Sequence, residues 1–377
     1  MQWNKFILII GMMFGVHAFS QKIKIPDTLR QSAITGGYHS GFIFAHSIHV
    51  QNTKGTKPDG FEFEYSHLRT DSFAHVHFNC YARAGFNFTY IDFNKQLLGK
   101  SYSLSYFIEP NYRLGNSLRL NVRAAAGLSY LTNPFDSTKN PENQSYSLPI
   151  NMFLQLGLGL SCPLNRHVSL YARGNFYHNS NGGFNQPNSG VNYINASFGL
   201  QYFSYSSHLP VYKKAKDSSW RKEPVHFDVA AFYSPKGGYS SRRVSERKFL
   251  GGISFQAVKR VASIDAISLG AEVYYDAALR SIKEIYLHDS SSSSTLAGVL
   301  LGHQFLLNRF TFSQQLGIYV YKQTDSFNRL YTDLFHTIYH RWGLNYQLNP
   351  DWFIGINLLA HNQFADFIDA RVTYRLK

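Results

Sequence analysis

A strict two-residue alternation of apolar and polar side chains is the feature that most limits how this chain can fold. Between residues 168 and 176 the even positions carry Val, Leu, Ala, Gly and Phe, and the odd positions carry more polar side chains. Residues 194–202 repeat the pattern. Successive side chains of a β-strand point to opposite faces, so both stretches are predicted to be strands with one apolar face. The intervening residues 181–191 are rich in Gly, Asn, Pro and Ser and are predicted to form the loop of a hairpin.

Similar segments recur along the whole chain. They fall into two sets of eight, separated by a polar, basic stretch at 206–224 that has a proline near each end. Most segments are about as long as a tilted strand needs to be to cross a bilayer. The first set is predicted at 38–50, 61–68, 82–92, 101–114, 118–132, 150–164, 167–179 and 192–204. The second is predicted at 226–235, 248–261, 265–280, 294–307, 309–322, 333–348, 351–361 and 366–376.

These strands predict an all-β chain that forms an antiparallel outer-membrane β-barrel. After the amino terminus no apolar run reaches the roughly 18 residues that a membrane helix needs, and a closed barrel is the other structure that can span a bilayer. The abundance of Tyr (26) and Phe (31) favours the barrel. The mean hydropathy of −0.25 would fit a soluble protein, but barrels place apolar residues only at alternate positions. Two tandem eight-stranded barrels are the first choice, and one sixteen-stranded barrel is the alternative.

The amino terminus has the pattern of a secretory signal. Lys5 is followed by an apolar run and then by Ala18-Phe19-Ser20, a small-x-small cleavage pattern. We therefore expect a signal peptide at 1–20, a first barrel at 21–205, a linker at 206–224 and a second barrel at 225–377.

The second half is predicted to be a degenerate copy of the first. The string G-L-x-x-x-L-N and a downstream His-Asn occur in both, as His178-Asn179 and as His361-Asn362. Asp366 begins the last strand of the second copy, as Asn192 does in the first, but Gln363 stands where the first copy has Ser180. Because the hydroxyl is missing, we expect the second barrel to be catalytically silent.

The net charge of +14 suggests an anionic partner, either a phosphorylated lipid or nucleic acid. Secretion argues against nucleic acid, and Lys and Arg that merely solvate loops are the alternative explanation. The two cysteines, Cys80 and Cys162, give no disulfide framework, although a single bridge stays open. No cluster of metal-ligating residues stands out, so no metal or cofactor is expected.

Three chemically useful side chains fall at one end of the first hairpin, on its apolar face. His178 and Ser180 lie two positions apart on one strand, and Asn192 begins the next strand with the same parity. A serine that cleaves an ester needs a base for its proton and a third group that holds the imidazole tautomer. The alternative is structural, because such residues are common at strand ends, where they bond to loops or water.

The string His178-Asn179-Ser180-Asn181-Gly182-Gly183, followed by Pro187-Asn188 and Gly190, resembles the lipid A 3-O-deacylases of the PagL type, also called acyloxyacyl hydrolases. The resemblance is strong over about 25 residues and weak over the rest of the first half. It implies Ser180 as the nucleophile, His178 as the base and oxyanion donors around Asn181 and Gly183. The glutamate of the family falls on Asn192, which can fix a tautomer but cannot stabilise an imidazolium by charge.

The resemblance implies an outer-membrane esterase that removes an ester-linked 3-hydroxyacyl chain from lipid A, so lipopolysaccharide is the expected partner. The parity places the site on the outward, lipid-facing surface, where Phe176, Ile194 and Phe198 could hold acyl chains. A non-catalytic barrel that serves as porin, adhesin or anchor is the alternative. A porin would need a wide polar lumen, which eight strands do not offer. The sequence does not indicate the oligomeric state.

Overall fold

The computed structural model describes residues 30–376, except 73–74, 76–77, 79, 116, 183–184, 186, 213–218, 238–246, 280–293, 323–336 and 362–363. The predicted signal peptide therefore lies outside the described residues. In the first half the strands are β1 (Arg30–Ile43), β2 (Asp59–Arg69), β3 (Tyr81–Asp92), β4 (Lys100–Arg113), β5 (Arg119–Leu131), β6 (Ile150–Pro163), β7 (Val168–Ser180) and β8 (Val191–Phe203). In the second half they are β9 (His226–Gly237), β10 (Arg247–Arg260), β11 (Asp265–Asp276), β12 (Thr295–Leu307), β13 (Phe310–Lys322), β14 (Ile338–Gln347), β15 (Trp352–His361) and β16 (Phe364–Leu376). Among the described residues no helix is long and apolar enough to cross a membrane.

The strands close into two separate antiparallel barrels. In the first barrel β1 pairs with both β2 and β8, and in the second β9 pairs with both β10 and β16. The closing register of the first barrel runs from Ala33 opposite Phe203 to Ile43 opposite Tyr193. The prediction of two tandem eight-stranded barrels is confirmed, and the alternative of one sixteen-stranded barrel is wrong.

Two predicted strands are too long: β11 ends at Asp276 and not at 280, and β14 begins at Ile338 and not at 333, with 280 and 333–336 outside the described residues. The other predicted strands match the observed ones to within two residues, except for the first. It was expected at 38–50 but spans Arg30–Ile43, and Ile48–Thr53 forms a 3-10 helix instead. The polar start of β1 and its Gly36-Gly37 pair hide the strand, whereas the apolar residues after Ile43 imitate one. A Ser47 side chain that accepts from His49 N starts the 3-10 helix and ends the extended backbone.

Alternate side chains fill the lumen of the first barrel with charge. Glu109 on β4 lies 2.8 Å from Arg83, 2.8 Å from Arg123 and 3.3 Å from Arg173, and all four side chains are almost wholly buried. Glu62 and Glu64 of β2 complete the network. These ion pairs occupy the space that a pore would need. Because charged and apolar residues alternate along these strands, the apolar residues point outward.

The lumen of the second barrel contains a smaller network of the same kind. Arg341 lies 3.0 Å from Glu272, and Arg371 lies 2.9 Å from Asp369. These buried arginines are paired with carboxylates inside the barrels and therefore do not face an anionic partner. Cys80 and Cys162 are both free, so the open question of a bridge is answered in the negative.

The start of the predicted linker packs under the first barrel, at the end opposite the 181–190 loop. Leu209 and Tyr212 pack against a cluster formed by Ala33, Leu68, Tyr81 and Phe203. The Tyr81 hydroxyl donates to Pro210 O at 2.6 Å, and the Tyr212 hydroxyl donates to Thr70 O at 2.9 Å. These residues close one end of the lumen.

Candidate active site

His178 and Asn192 are direct cross-strand neighbours on the outward face of the first barrel. The register of β7 and β8 places them opposite each other, and both are half-buried. His178 Nδ1 lies 2.5 Å from Asn192 Oδ1. An amide oxygen only accepts hydrogen bonds, so the proton of this bond belongs to Nδ1. The neutral imidazole then keeps the lone pair of Nε2 free, which is the tautomer that a general base needs.

A rigid aromatic layer supports this pair from the lumen side. Tyr177 and Tyr193 precede and follow the pair, and their rings stack with centroids 4.8 Å apart. Phe153 packs on Tyr177 at 5.4 Å. All three side chains are fully buried, so the ends of β7 and β8 are held at fixed positions beneath the site.

Ser180 is the last residue of β7 and shares the outward parity of His178. Its Oγ accepts a hydrogen bond from Gly182 N at 3.2 Å, so the hydroxyl is turned toward the following turn in this structure. Residues two apart on a strand lie about 6.5–7 Å apart along the backbone. A change of χ1 to another staggered rotamer would bring Oγ toward His178. The predicted outward placement of all three residues is observed; their catalytic roles stay predictions.

The turn after Ser180 is held by asparagine side chains. Asn181 N donates to Asn188 Oδ1 at 2.9 Å, and Asn181 Nδ2 donates to Asn185 O at 2.9 Å. The backbone amide of Asn181, one of the two expected oxyanion donors, is therefore already bonded. Gly183, the other, lies outside the described residues. Gly182 is the amide that points at Ser180 Oγ, and its φ of 63° suits glycine.

Gly190 closes the loop against the histidine. Its φ is 80°, and a Cβ built on it would lie 3.0 Å from His178 Cε1. The loop before β6 anchors it, because Gly190 N donates to Ser145 O at 2.8 Å. Burial raises the pKa of Tyr146 in that loop, so its hydroxyl stays protonated and donates to Leu98 O at 2.7 Å. The imidazole ring thus lies against the backbone of Gly190, which the loop before β6 holds in place.

His46 is a fourth polar residue of the site, and the sequence analysis missed it. Its Nδ1 lies 3.0 Å from Asn192 Nδ2, so the Asn192 amide lies between two imidazoles. Phe42, Phe44 and His46 share one parity at the end of β1, which was a usable signal. The missing information was that β1 closes the barrel against β8, which places Phe44 N 2.8 Å from Asn192 O.

Apolar side chains surround the polar group on the outward face. Phe176 and Ile194 are register partners just below the His178–Asn192 pair and are 37% and 36% exposed. Leu154 and Met152 of β6 lie opposite His178 and Ser180. Phe198 is also exposed, but it lies six residues along β8 from Asn192, which is about 20 Å. The site therefore borders an apolar wall that continues down the barrel.

The second barrel does not repeat this arrangement. His361, which the repeat paired with His178, faces the lumen and is 3% exposed, whereas His178 faces outward. Leu359 pairs with Phe367 and Ala360 with Ala365, so Asp366 is the extra residue of a β-bulge. Asp366 lies 2.6 Å from Lys236. The match by motif is thus wrong in space. His361 is nine residues beyond the start of β15 at Trp352, whereas His178 is ten residues beyond the start of β7 at Val168, so the two histidines have opposite parity. Gln363 lies outside the described residues.

Two family models match this chain. The model described as lipid A 3-O-deacylase (PagL) matches residues 59–201, and the model described as acyloxyacyl hydrolase, C-terminal domain, matches residues 225–377. Each match falls within one barrel. No curated protein matches the sequence.

Several solved structures are similar to this chain in fold. Neisserial surface protein A is 13% identical, with coverage of 46% of this chain and 96% of that one and a TM-score of 0.30. The outer-membrane enzyme PagL is 15% identical, with coverage of 48% and 99% and a TM-score of 0.25. CdiB from Acinetobacter baumannii is 10% identical, with coverage of 92% and 60% and a TM-score of 0.18.

Proposed function

Because the chain belongs to the PagL family of lipid A deacylases, we propose that it is an outer-membrane serine esterase that removes an ester-linked 3-hydroxyacyl chain from lipid A. The observation that carries the proposal is the hydrogen bond of 2.5 Å between His178 and Asn192, with Ser180 on the same outward face. A polar triad that faces lipid has no role in closing the barrel. It would stand where the ester of a membrane lipid can reach it.

The proposed reaction follows serine-esterase chemistry. Ser180 Oγ attacks the ester carbonyl carbon while His178 Nε2 takes its proton. The tetrahedral intermediate collapses when the bond to the sugar oxygen breaks, and His178 returns the proton to that oxygen. Water then attacks the acyl carbon while the same imidazole takes its proton. The bond from that carbon to Ser180 Oγ breaks, the imidazole returns the proton to Oγ, and the hydroxy fatty acid leaves. Phe176 and Ile194 would hold the acyl chain next to the nucleophile, and Phe198 would contact only its far end or a neighbouring chain.

The oxyanion would be stabilised by backbone amides of the turn after Ser180. Gly182 N already points at Ser180 Oγ and becomes free when that hydroxyl turns toward His178. Asn181 and Gly183 are the donors implied by the family, and Asn181 N would first have to leave Asn188 Oδ1. Each such donor contributes on the order of 10²–10³ in kcat in serine hydrolases.

Asn192 in place of the family's glutamate makes the enzyme slower but not inactive. Its Oδ1 holds the required tautomer of His178, which is the orienting part of the role. The imidazolium that forms in the transition state meets a dipole instead of a full negative charge. The loss therefore falls on kcat and not on the binding of substrate.

The wider layout is also part of the proposal. Residues 1–20 act as a signal peptide, 206–224 connect the barrels, and the second barrel is catalytically silent. The 181–190 loop faces the cell exterior, so the site meets the outer leaflet, where lipid A lies. Within the alternative of a passive barrel, a porin is less favoured, since Arg83, Arg123 and Arg173 with their carboxylates fill the lumen of the first barrel.

The test is mass spectrometry of lipid A from cells that express the protein. Wild type is expected to remove one hydroxyacyl chain, and Ser180→Ala to leave lipid A intact. Ser32→Ala is the matched control. Ser32 is also a serine on the outward side, but it lies at the start of β1, far from the site, and contacts Tyr65. It is expected to behave as wild type. Unchanged lipid A with the folded wild-type protein would refute the proposal and support the passive barrel.

A further inference from the structure

The side-chain amide of Asn192 bridges two histidines on the outward face of the first barrel. Oδ1 lies 2.5 Å from His178 Nδ1, and Nδ2 lies 3.0 Å from Nδ1 of His46. We propose that His46 is a positioning residue that fixes the orientation of the Asn192 amide and thereby the tautomer of His178. This inference rests on the proposed esterase function and names a further residue of the same site.

The need for such a residue follows from the replacement of a carboxylate by an amide. Both oxygens of a carboxylate accept hydrogen bonds, so either orientation serves an imidazole N–H. An amide has one accepting and one donating end. If the Asn192 amide turned over, Nδ2 would face His178 Nδ1, the imidazole proton would move to Nε2, and no lone pair would be left to accept the Ser180 proton.

His46 selects the productive orientation by offering an acceptor. In the tautomer with its proton on Nε2, Nδ1 of His46 carries a lone pair that accepts from Asn192 Nδ2. An Oδ1 at the same place would face that lone pair and be repelled. The productive orientation therefore satisfies both ends of the amide, whereas the reversed one leaves Oδ1 against the lone pair of His46 while His46 keeps this tautomer.

The ring of His46 is well placed to do this. It stacks against Phe44 with the ring planes 21° apart, and Phe44 N is bonded to Asn192 O at 2.8 Å. Just beyond it, Gln51 Nε2 donates to Ala45 O at 3.2 Å, which ties the 3-10 helix back to the same segment. Phe44 O lies 3.4 Å from Nδ1 of His46, a contact that only a protonated Nδ1 could use. The shorter contact with Asn192 Nδ2 is the one that the tautomer with its proton on Nε2 satisfies.

The test is a double-mutant cycle measured as kcat on purified lipid A in detergent. His46→Leu in the wild-type background is expected to lower kcat roughly tenfold, the effect that corresponds to the loss of one orienting hydrogen bond. In an Asn192→Asp background the same change is expected to cost less than about threefold, because an isosteric carboxylate needs no orienting partner. His46→Asn, which restores an accepting oxygen near the position of Nδ1, should recover most of the loss.

His49→Leu is the matched control, since His49 is exposed on the 3-10 helix that follows. It should leave kcat unchanged. Equal losses in both backgrounds would mean that His46 only supports the loop and would overturn the inference, as would full activity of His46→Leu. An inactive wild type would instead refute the proposed function itself, so the two failures are distinguishable.

Discussion

At the scale of single residues, the identity of residue 192 sets how far the site departs from a full triad. We expect Asn192→Asp to raise kcat about tenfold at unchanged KM, because a hydrogen bond to a charged group is stronger than a neutral one by about 1.4 kcal/mol. The side chain has the same size, so the 2.5 Å contact with His178 can persist. Kinetics on purified lipid A would check it. A fall in kcat would show that the site is adapted to the amide.

The second residue-scale prediction concerns Gly190. A Cβ here would lie 3.0 Å from His178 Cε1, so Gly190→Ala should push the imidazole away from Ser180 and lower kcat at least tenfold. Gly55→Ala is a close control: φ is 81° at Gly55 against 80° at Gly190, but nothing lies within 4 Å of its Cβ. Both variants carry about 1 kcal/mol of backbone strain. Equal activity of the two would contradict the proposed role of the ring position.

Sequence alone could predict the orientation of residues whose face of the barrel follows from the alternation along their own strand. His178, Ser180 and Asn192 face outward as the alternation predicts. His46 could not be placed, because its neighbour across the closing pair of strands is fixed by register and not by any local pattern. His361 was misplaced for a different reason. Counted from Trp352, it lies one position short of the place that His178 has when counted from Val168, so its parity is reversed, and a motif match does not detect this.

At the scale of strands, the buried carboxylate of β4 is the element that ties the lumen together. Glu109→Gln removes the charge that three guanidinium groups share, at 2.8, 2.8 and 3.3 Å. Breaking such a buried pair costs about 3–5 kcal/mol, because the remaining charges stay buried and poorly compensated. We expect the free energy of unfolding to fall by about this amount in urea titrations in lipid vesicles.

The control for this variant is Glu142→Gln. It makes the same chemical change on an exposed residue of the loop before β6. Removal of an exposed charge changes stability by less than about 0.5 kcal/mol. If Glu109→Gln lowered the free energy of unfolding as little as Glu142→Gln, the lumen network would be stabilised by packing and solvent instead of by ion pairs.

Strand positions were readable where alternation is clean and turns are rich in Gly, Asn and Pro. The prediction for 101–114 lies within one residue of β4, Lys100–Arg113. β1 was displaced because its first half is polar on both faces and its lumen side includes Gln31 and Thr35, while the loop after it is apolar. Where both faces of a strand are polar, periodicity carries no signal and only pairing decides.

At the scale of the whole molecule, the chain forms two barrels and not one because β1 pairs with β8 and closes the first barrel. Counting strands gives sixteen in either case, and only the pairing of β1 with β8 excludes a single large barrel. The basic, proline-flanked stretch at 206–224 favoured two barrels, and its first residues pack under the first barrel as a plug. The composition of this stretch is typical of a linker, so it did not predict that packing.

The closure of the first barrel by its own strands leads to a prediction about truncation. A chain that ends at residue 224 keeps the eleven register pairs from Ala33 to Ile43 that close β1 against β8, as well as the contacts of Leu209 and Tyr212. We expect it to fold in outer-membrane lipid and to deacylate lipid A within a few-fold of the full chain. The measurement is the same mass spectrometry, with Ser180→Ala in the truncated chain as the blank.

A chain that ends at residue 204 is the matched comparison. It loses the hydrogen bonds from Tyr81 to Pro210 O and from Tyr212 to Thr70 O, and it uncovers Leu68 and Phe203. It also loses the hydrogen bonds that Gln31, Arg113 and Arg119 donate to backbone oxygens of residues 206–210. At about 1 kcal/mol for each hydrogen bond, together with the lost apolar burial, we expect a fall in stability of more than about 4 kcal/mol while His178 and Ser180 stay in place. Loss of deacylation already in the chain that ends at 224 would mean that the second barrel belongs to the active unit, and the view of it as catalytically silent would have to be abandoned.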